Sequence, residues 1–190
     1  MSVTARLRAA LVLGWLTTLP HRLNRRIRIQ PGLLGNGRLR IRGPGRVMIE
    51  KDVNAWSHAE ANRLVTTTSE AVIQIGPQAR LNGCTLIAAE RIEVGAGCVL
   101  GSCEVRDDDA YPARLSQGPA GPRPVILEEN VWVGGQVFIA PGVRVGRNSV
   151  VGMHAAVFED VPPDVIVAGN PARIVRRFEA GPDSASAERG

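Results

Sequence analysis

The stretch from Leu127 to Ala156 divides into five consecutive units of six residues, and this strict period constrains the fold more than any other feature of the chain. Each unit opens on an aliphatic residue, and a small or β-branched residue stands four places later. A helix needs apolar residues about every 3.6 positions and a two-sided strand needs alternation, so a period of six indicates short strands joined by tight corners. Hexapeptide periodicity predicts a β-helix, whereas a β-sandwich, the alternative, has no reason to keep such a phase.

The same phase extends toward the amino terminus with irregularities. Three units complete one triangular coil of roughly 18 residues, so the aliphatic openers of successive coils should stack into an internal column. The earlier openers are Ile75, Leu81 and Ile87, then Val94 and Leu100 after one inserted residue, with a weaker set at Ile41, Val47 and Val53. Aromatic residues make up only 4% of the chain, which suits a narrow interior of Val, Ile and Leu.

Three motifs resemble a known group of proteins. They are PVILEENVWVGG at 124–135, IAPGVRVG at 139–146, and DVPP at 160–163 followed by AGNPAR at 168–173. The chain resembles the hexapeptide-repeat acyltransferases over about residues 36–178, with the greatest likeness to sugar O-acetyltransferases associated with exopolysaccharides. The resemblance implies an all-β, left-handed parallel β-helix and a homotrimer. Handedness comes from the resemblance alone, because parallel crossovers are usually right-handed.

The two ends of the chain are predicted to be appendages of this β-helix. Residues 1–35 are expected to form a short basic and apolar helix with a lead-in, because arginines flank the apolar run at 9–19. Eleven residues cannot span a bilayer, and no small-x-small cleavage site precedes Pro20. The helix is expected either to pack on the first coil or to lie on the inner membrane surface, which favours a cytoplasmic protein. At the other end, 173–178 should cap the prism, and 179–190 should be a disordered tail.

The charge balance and the cysteine positions limit which kinds of ligand and partner the protein is expected to bind. The chain has 23 Lys+Arg against 18 Asp+Glu, and arginine suits bidentate phosphate contact, so an anionic partner is plausible. Nucleic acid is disfavoured, because the basic residues are scattered and no aromatic platform accompanies them. Cys84, Cys98 and Cys103 lack the spacing of a metal motif and are expected to be reduced packing residues. No metal site is predicted.

The hexapeptide phase fails between Leu100 and Leu127, so residues 106–124 are predicted to leave the prism as a loop. In the similar enzymes this loop carries Asp-x-Asp-x-His-Pro, whose His is the general base. Here the matching stretch is DDDAYP at 107–112, which places Tyr111 at the family's His position. A phenol with a pKa near 10 is a poor base at neutral pH, so Tyr111 needs a positive environment or serves only as a hydrogen-bond donor.

Other groups are left as alternatives for the proton transfer. Asp109 could orient the reacting groups or act as a weak base. The alternative, without a function, is that 107–109 form a solvated acidic turn. Among the three histidines, His154 falls at a predicted corner and is the candidate substitute base.

The resemblance also implies acetyl-CoA as co-substrate, bound in a groove between subunits. Trp132 and Gly135 match positions beside the thioester, and Gly152 with Met153 matches the next corner along the pantetheine. Arg173 and Arg176 match residues that meet the CoA phosphates, although Glu159 stands where the family has Lys, a defect that Arg177 could compensate. Asn82 matches an acceptor-side position. The candidate set is therefore catalytic Tyr111 and Asp109, CoA-binding Trp132, Gly135, Gly152, Met153, Arg173 and Arg176, and acceptor-binding Asn82.

Two functions follow from this pattern. The first is a CoA-dependent O-acyltransferase that modifies a sugar hydroxyl of a polysaccharide or surface glycan by direct attack on the thioester, since no Ser or Cys is paired with a base. The second is a non-catalytic trimeric β-helix that binds or scaffolds, which the departures at Tyr111 and Glu159 motivate.

Overall fold

A computed structural model describes residues 25–108 and 121–178 as a triangular prism of short strands. Three sheets form its faces, and the chain visits them in turn for six coils. Sheet A contains β1 (Ile27–Ile29), β4 (Arg46–Ile49), β7 (Val72–Ile75), β10 (Arg91–Val94), β13 (Val125–Leu127) and β16 (Arg144–Val145). Sheet B contains β2 (Leu34–Gly35), β5 (Asn54–Ala55), β8 (Arg80–Leu81), β11 (Val99–Leu100), β14 (Trp132–Val133), β17 (Val150–Val151), β19 (Val165–Ala168) and β20 (Arg173–Arg177). Sheet C contains β3 (Leu39–Arg42), β6 (Asn62–Thr66), β9 (Thr85–Ala88), β12 (Glu104–Arg106), β15 (Phe138–Ile139) and β18 (Ala156–Val157).

The predicted parallel β-helix is confirmed. Every described strand pair is parallel except β19 with β20, which is antiparallel. The openers of the regular units are all buried, from Leu127 at 1% exposure to Ile139 at 0%. One inward residue from each face therefore stacks on its counterpart in the next coil, and the core is a continuous column of aliphatic side chains.

The upstream phase was wrong at three positions. Val47 and Val53 are buried, but the stacking column of openers passes through Ile49 and Ala55, two residues later in each case.

The third position is in β9. Leu86, fully buried, is the inward residue of β9, whereas Ile87 is only half-buried and pairs with Arg106 on the outer face. The turn from β8 to β9 is one residue shorter than the six-residue phase expects. Because side chains alternate along a strand, a shift of one residue exchanges the inner and outer faces.

The corners between sheets A and B share one backbone conformation. In each coil the corner includes a residue with φ between 57° and 90°, the left-handed region that Gly, Asn and Asp tolerate. These residues are Gly32, Asp52, Gln78, Gly97, Asn130, Asn148 and Asp164. Near the carboxyl end, side chains at this corner in neighbouring coils also contact one another: the Asn148 Nδ2 donates to Asp164 Oδ1 at 2.9 Å.

The boundary expected at residue 36 lies inside the first coil. Strands β1 and β2 precede it, and Ile27 and Ile29 pack against the core. The expected closing element at 173–178 is a strand, since β20 pairs with β19. The predicted amino-terminal helix, most of the 106–124 loop and the tail at 179–190 lie outside the described residues.

Two buried polar side chains hold the irregular coils. The Asn62 Nδ2 donates to the carbonyls of Ala55 and Leu81, and its Oδ1 accepts from the amides of Gly83 and Cys84. Each of these atoms is shielded from water, so the four bonds replace the main-chain pairing that the irregular turn lacks.

Asp107 is the second of these residues, and it is not part of a solvated turn. Its carboxylate is fully buried and accepts from the backbone amides of Ala89, Glu90 and Arg91. Burial raises the pKa of this carboxyl, and the three amides oppose that shift. Asp107 therefore closes the turn between β9 and β10 from the neighbouring coil.

Candidate functional site

The candidate site follows the corner between sheets B and C, which we call the BC corner. The residue just after the inward residue of a sheet B strand occupies an equivalent position in successive coils, as the backbone hydrogen bonds between coils show. From the third coil onward these residues are Asn82, Gly101, Gly134, Gly152 and Ala168, and Arg173 of β20 pairs with Ala168. Strands in a sheet are about 4.8 Å apart, so Asn82 and Arg173 are separated by roughly 24 Å along this corner.

A second row runs beside the corner on the outer face of sheet B. Val99, Trp132, Val150, Ile166 and Arg176 are successive register partners. Trp132 is 58% exposed, so its ring is available to a ligand. The row ends on Arg176, and the corner ends on Arg173. The structure therefore brings both arginines to the carboxyl-terminal end of one apolar track, although it places Asn82 several coils away.

Gly134 and Gly135 differ in the space that surrounds a Cβ at each position. A Cβ on Gly134 would lie 2.9 Å from the backbone nitrogen of Met153, so the packing of coils excludes one. A Cβ on Gly135 would meet only the Met153 Cε, at 3.8 Å. The Gly135 amide donates no hydrogen bond to the described part of the chain. Gly135 thus leaves an open surface and a free N–H donor, which suit close approach of a ligand.

Met153 and His154 form the next corner. The Met153 side chain is 66% exposed, and His154 has φ of 60°, a conformation strained for most residues but tolerated by His. The His154 amide donates to the Gly135 carbonyl at 3.0 Å. The imidazole therefore belongs to the coil next to the one that contains the free Gly135 amide. The strained backbone at residue 154 fixes the direction of its Cα–Cβ bond.

The carboxylate at Glu159 lies beside the expected phosphate end. Its Oε1 is 4.0 Å from Arg173 Nη1, and both side chains are more than half exposed, so the pair is weak. The register of β20 gives the place of Arg177, the residue that could compensate for this carboxylate. Arg177 pairs with Val165, four residues along β20 from Arg173, and Arg176 instead lies opposite Ile166.

Asn82 is oriented at the other end of the site. Its Oδ1 accepts from the His58 amide at 3.2 Å, and its Nδ2 has no partner among residues 25–108 and 121–178. Trp56 follows Ala55 as Asn82 follows Leu81, but the ladder is interrupted there, because the Trp56 amide donates to Asn54 Oδ1. The indole, 40% exposed, therefore belongs to the coil before Asn82.

The two predicted catalytic residues, Asp109 and Tyr111, lie outside the described residues. Just before them in the sequence, two described side chains form an ion pair. Arg106 donates from Nε to Asp108 Oδ1 at 2.8 Å and from Nη2 to Oδ2 at 2.9 Å, a bidentate pair at the end of β12.

Residues 25–108 and 121–178 contain no group of three His, Cys, Asp or Glu side chains that could hold a metal ion. Cys84, Cys98 and Cys103 are buried free thiols in the core, as predicted for packing residues. Burial raises the pKa of Cys84 to about 12 and that of Cys98 to about 11. Within residues 25–108 and 121–178 no helix is long and apolar enough to cross a bilayer.

Curated sugar acetyltransferases match part of the sequence. The chain is 47% identical to the galactoside O-acetyltransferase of Escherichia coli over 55 residues, which are 29% of this chain and 27% of the relative. It is 34% identical to the galactoside O-acetyltransferase of Lactococcus lactis over 97 residues, 50% of this chain and 47% of the relative. The chain thus spans less than half the length of these relatives. No family model matches it.

Solved structures match over most of the chain. A variant of the N-acyltransferase AntD from Bacillus cereus, with dTDP and coenzyme A, superposes with a TM-score of 0.62 at 18% identity and covers 90% of this chain and 93% of its own. A hexapeptide-repeat acetyltransferase from Vibrio cholerae with acetyl-CoA gives 0.54 at 22%, covering 94% and 92%. The polySia-specific acetyltransferase NeuO gives 0.57 at 22%, covering 84% and 87%. The chain shares the fold of hexapeptide-repeat acetyltransferases. Part of its sequence is similar to galactoside O-acetyltransferases.

In this chain the motif residues gather along one corner, but two side chains in the earlier coils were not predicted from the sequence. Trp56 was not singled out, because the phase is weak in the second coil. Arg63, exposed on β6, was counted only among scattered basic residues. The alternation Asn62-Arg-Leu-Val-Thr66, with its buried and exposed residues, was the available signal for placing Arg63 on the outer face.

Proposed function

We propose that the protein is a CoA-dependent O-acyltransferase, most simply an acetyltransferase, that modifies a sugar hydroxyl. The observation that carries the proposal is the BC corner: a free Gly135 amide beside an exposed Trp132, on a track that ends at Arg173 and Arg176. Support comes from the shared fold of acetyltransferases and from the sequence likeness to galactoside O-acetyltransferases.

The residues fit acetyl-CoA as a substrate. Guanidinium groups at the carboxyl-terminal end suit its phosphates, and the small side chains at Gly152 and Ala168 leave room for a thin pantetheine arm. In the reaction an acceptor hydroxyl oxygen attacks the thioester carbonyl carbon, and the negative charge that develops on the carbonyl oxygen is stabilised by the Gly135 N–H. The C–S bond then breaks, CoA leaves as the thiol after protonation, and the acyl group remains on the sugar oxygen.

A group on the chain must accept the hydroxyl proton. Tyr111 and Asp109 are the loop candidates, and His154 is the described imidazole nearest the Gly135 amide. Three single variants separate them: Tyr111→Phe, Asp109→Asn and His154→Asn. Asparagine suits the φ of 60° at residue 154, so the third variant removes the imidazole while it keeps the backbone conformation. The variant that lowers kcat by about 100-fold or more identifies the base. Unchanged turnover in all three would contradict the mechanism.

The first test needs no acceptor. Acetyl-CoA is titrated into the purified protein in a calorimeter, and we expect micromolar binding. Arg173→Ala should weaken binding by about tenfold, because a charge-assisted phosphate contact contributes roughly 1.5 kcal/mol or more. Arg46→Ala is the matched control, since Arg46 is exposed on sheet A, away from the BC corner.

The opposite result supports the second candidate function. A folded protein that shows no heat up to millimolar acetyl-CoA would be a binding or scaffolding β-helix. The motivation is the Glu159 carboxylate next to Arg173, which competes with a phosphate for the guanidinium.

Assembly and location are part of the same proposal. We expect a homotrimer, so that the BC corner of one subunit faces its neighbour, and analytical ultracentrifugation measures the oligomeric state directly.

We also expect a cytoplasmic protein, with residues 1–24 as the segment that contacts the first coil or the inner membrane surface. Co-sedimentation with anionic vesicles, with and without residues 1–24, separates these two contacts.

A further inference from the structure

A cavity on the outer face of sheet C is lined by three arginine side chains. Arg40 and Arg42 of β3 and Arg63 of β6 form its walls, and Ala61 and Val65 complete its lining. All three arginines are exposed. We call this feature the arginine cavity.

The charges of the arginine cavity are not balanced by the described residues. Arg40 lies directly opposite Arg63 in the β3–β6 register, and like charges in that relation destabilise a sheet. None of the ion pairs in the described ranges includes these arginines. Arg40 Nη1 donates to the Gly37 carbonyl at 2.6 Å, so its guanidinium is held in place. Repulsion of this kind is relieved when an anion binds between the guanidinium groups.

The nearby carboxylates, Glu104 and Glu60, form no ion pair with these arginines among the described residues. Glu104 stands two strands from Arg63 in the same row and accepts from Arg106 Nη1 at 3.2 Å. Glu60 lies at the BC corner, where its Cβ and carbonyl oxygen approach Gly83. The cavity therefore keeps a net positive charge on the described surface.

The arginine cavity adjoins the acceptor side of the BC corner. Arg63 is the register partner of Thr85, and Thr85 follows Asn82 by three residues. Neighbouring strands are about 4.8 Å apart, so a ligand of two or three sugar rings reaches from Asn82 to the guanidinium of Arg63. Trp56 lies on the coil before Asn82 and is 40% exposed, and the face of its indole suits the apolar C–H face of a pyranose ring.

We propose that the acceptor is an acidic saccharide whose carboxylate or phosphate group binds in the arginine cavity while a neighbouring ring rests on Trp56 and Asn82. This inference rests on the proposed acyltransferase function and adds a substrate class to it. Arginine is the residue type that recognises such groups in a bidentate manner. The acid group thereby sets which hydroxyl of the saccharide reaches the thioester end of the corner.

Other anionic partners fit the surface less well. A lipid surface would need apolar side chains next to the arginines, but the large exposed apolar residues of the described ranges do not border the cavity. A nucleic acid strand would need a row of aromatic platforms, and within residues 25–108, which contain the cavity, Trp56 is the only Phe, Tyr or Trp.

The test compares tetragalacturonate with its fully methyl-esterified form, which keeps the sugars and removes the charge. Binding to the full-length protein is measured by calorimetry, alone and with acetyl-CoA present. The acid form should bind at least tenfold more tightly than the ester, and added salt should weaken it. The double variant Arg40→Gln/Arg63→Gln should lose this preference and unfold no more easily than the parent, because it removes a like-charge pair.

Arg28→Gln/Arg46→Gln, two exposed arginines of sheet A, is the control with the same change in net charge. Equal affinity for the acid and its ester, or equal losses in the two double variants, would overturn the proposal. So would a cavity-dependent preference for anionic phosphatidylserine vesicles or for single-stranded DNA. Acetyl-CoA binding reports separately on the proposed function: its absence with intact saccharide binding refutes the transferase, and its presence without acid discrimination refutes only the acidic acceptor.

Discussion

The coils after residue 125 and the coils before residue 108 reach the same triangular cross-section by different means. In the later coils the inward residues Leu127, Val133 and Ile139 are six apart in number, and each corner from 130 to 154 turns on one residue of positive φ, which is a Gly, Asn, Gln or His. In the earlier coils the corners differ in length, and buried side chains of Asn62 and Asp107 tie them together.

The difference teaches where the site can vary. The regular coils present the track that suits acetyl-CoA, a substrate of fixed shape. The irregular coils carry Trp56, Asn82 and the arginine cavity, where corners of unequal length place side chains that a strict repeat would not. A buried polar clamp allows such a corner because it satisfies the amides and carbonyls that the repeat leaves unpaired.

Replacing the clamp in the irregular half should have the largest effect. Asp107→Asn keeps the shape of the side chain but sets an amide N–H against backbone N–H groups that now donate to a carboxylate. We expect a loss of about 3 kcal/mol in the free energy of unfolding. Urea denaturation measures it. Asp108→Asn, which only loses a partly exposed pair with Arg106, should cost less than about 1 kcal/mol, and equal losses in the two variants would show that Asp107 is not a clamp.

A pair of neighbouring glycines tests the regular half. Gly134→Ala should destabilise the protein by about 2 kcal/mol, because its Cβ would collide with the Met153 backbone. Gly135→Ala has room for its Cβ, so stability should not change, whereas affinity for acetyl-CoA should fall by about tenfold as the methyl group blocks the ligand's approach. Thermal melting and calorimetry give the two readouts. If Gly135→Ala binds acetyl-CoA as well as the parent, the track does not pass over residue 135.

The smallest effect is expected from the cysteines, all of which lie in the irregular half. With the pKa of Cys84 raised to about 12 and that of Cys98 to about 11, only a minute fraction of these thiols ionises near pH 8, and the thiolate is the reactive form. Thiol labelling of the native protein should therefore be at least about 100-fold slower than in urea, where all three cysteines react. The sign follows from burial: labelling should accelerate with rising pH up to the alkaline limit. Rapid labelling at pH 8 would show that the irregular coils open easily.

The sequence alone determined the β-helix, because a six-residue period leaves no other regular structure that buries one aliphatic residue per unit. It also determined that Gly134 and Gly152 stack, since they lie three strict units apart. The places of Ala168 and Arg173 come from the structure, because the strict units end at Ala156 and β20 is antiparallel to β19. The sequence did not determine the position of Ile87, where a turn one residue shorter exchanged inside for outside. That choice depends on the Asn62 contacts from the neighbouring coil, which no local pattern contains.

The tertiary structure alone decided which charged and aromatic residues meet. Arg40 and Arg63 are 23 positions apart in the sequence yet opposite one another in the sheet, because a coil of unequal corners separates them. Asp107 resembled a solvated acid in the sequence, and only the stacking of its coil on the turn at 89–91 gave it three amide donors. Repetition along the chain fixes the prism, whereas contacts between coils fix the chemistry of its surface, since stacking joins residues that are about one coil apart.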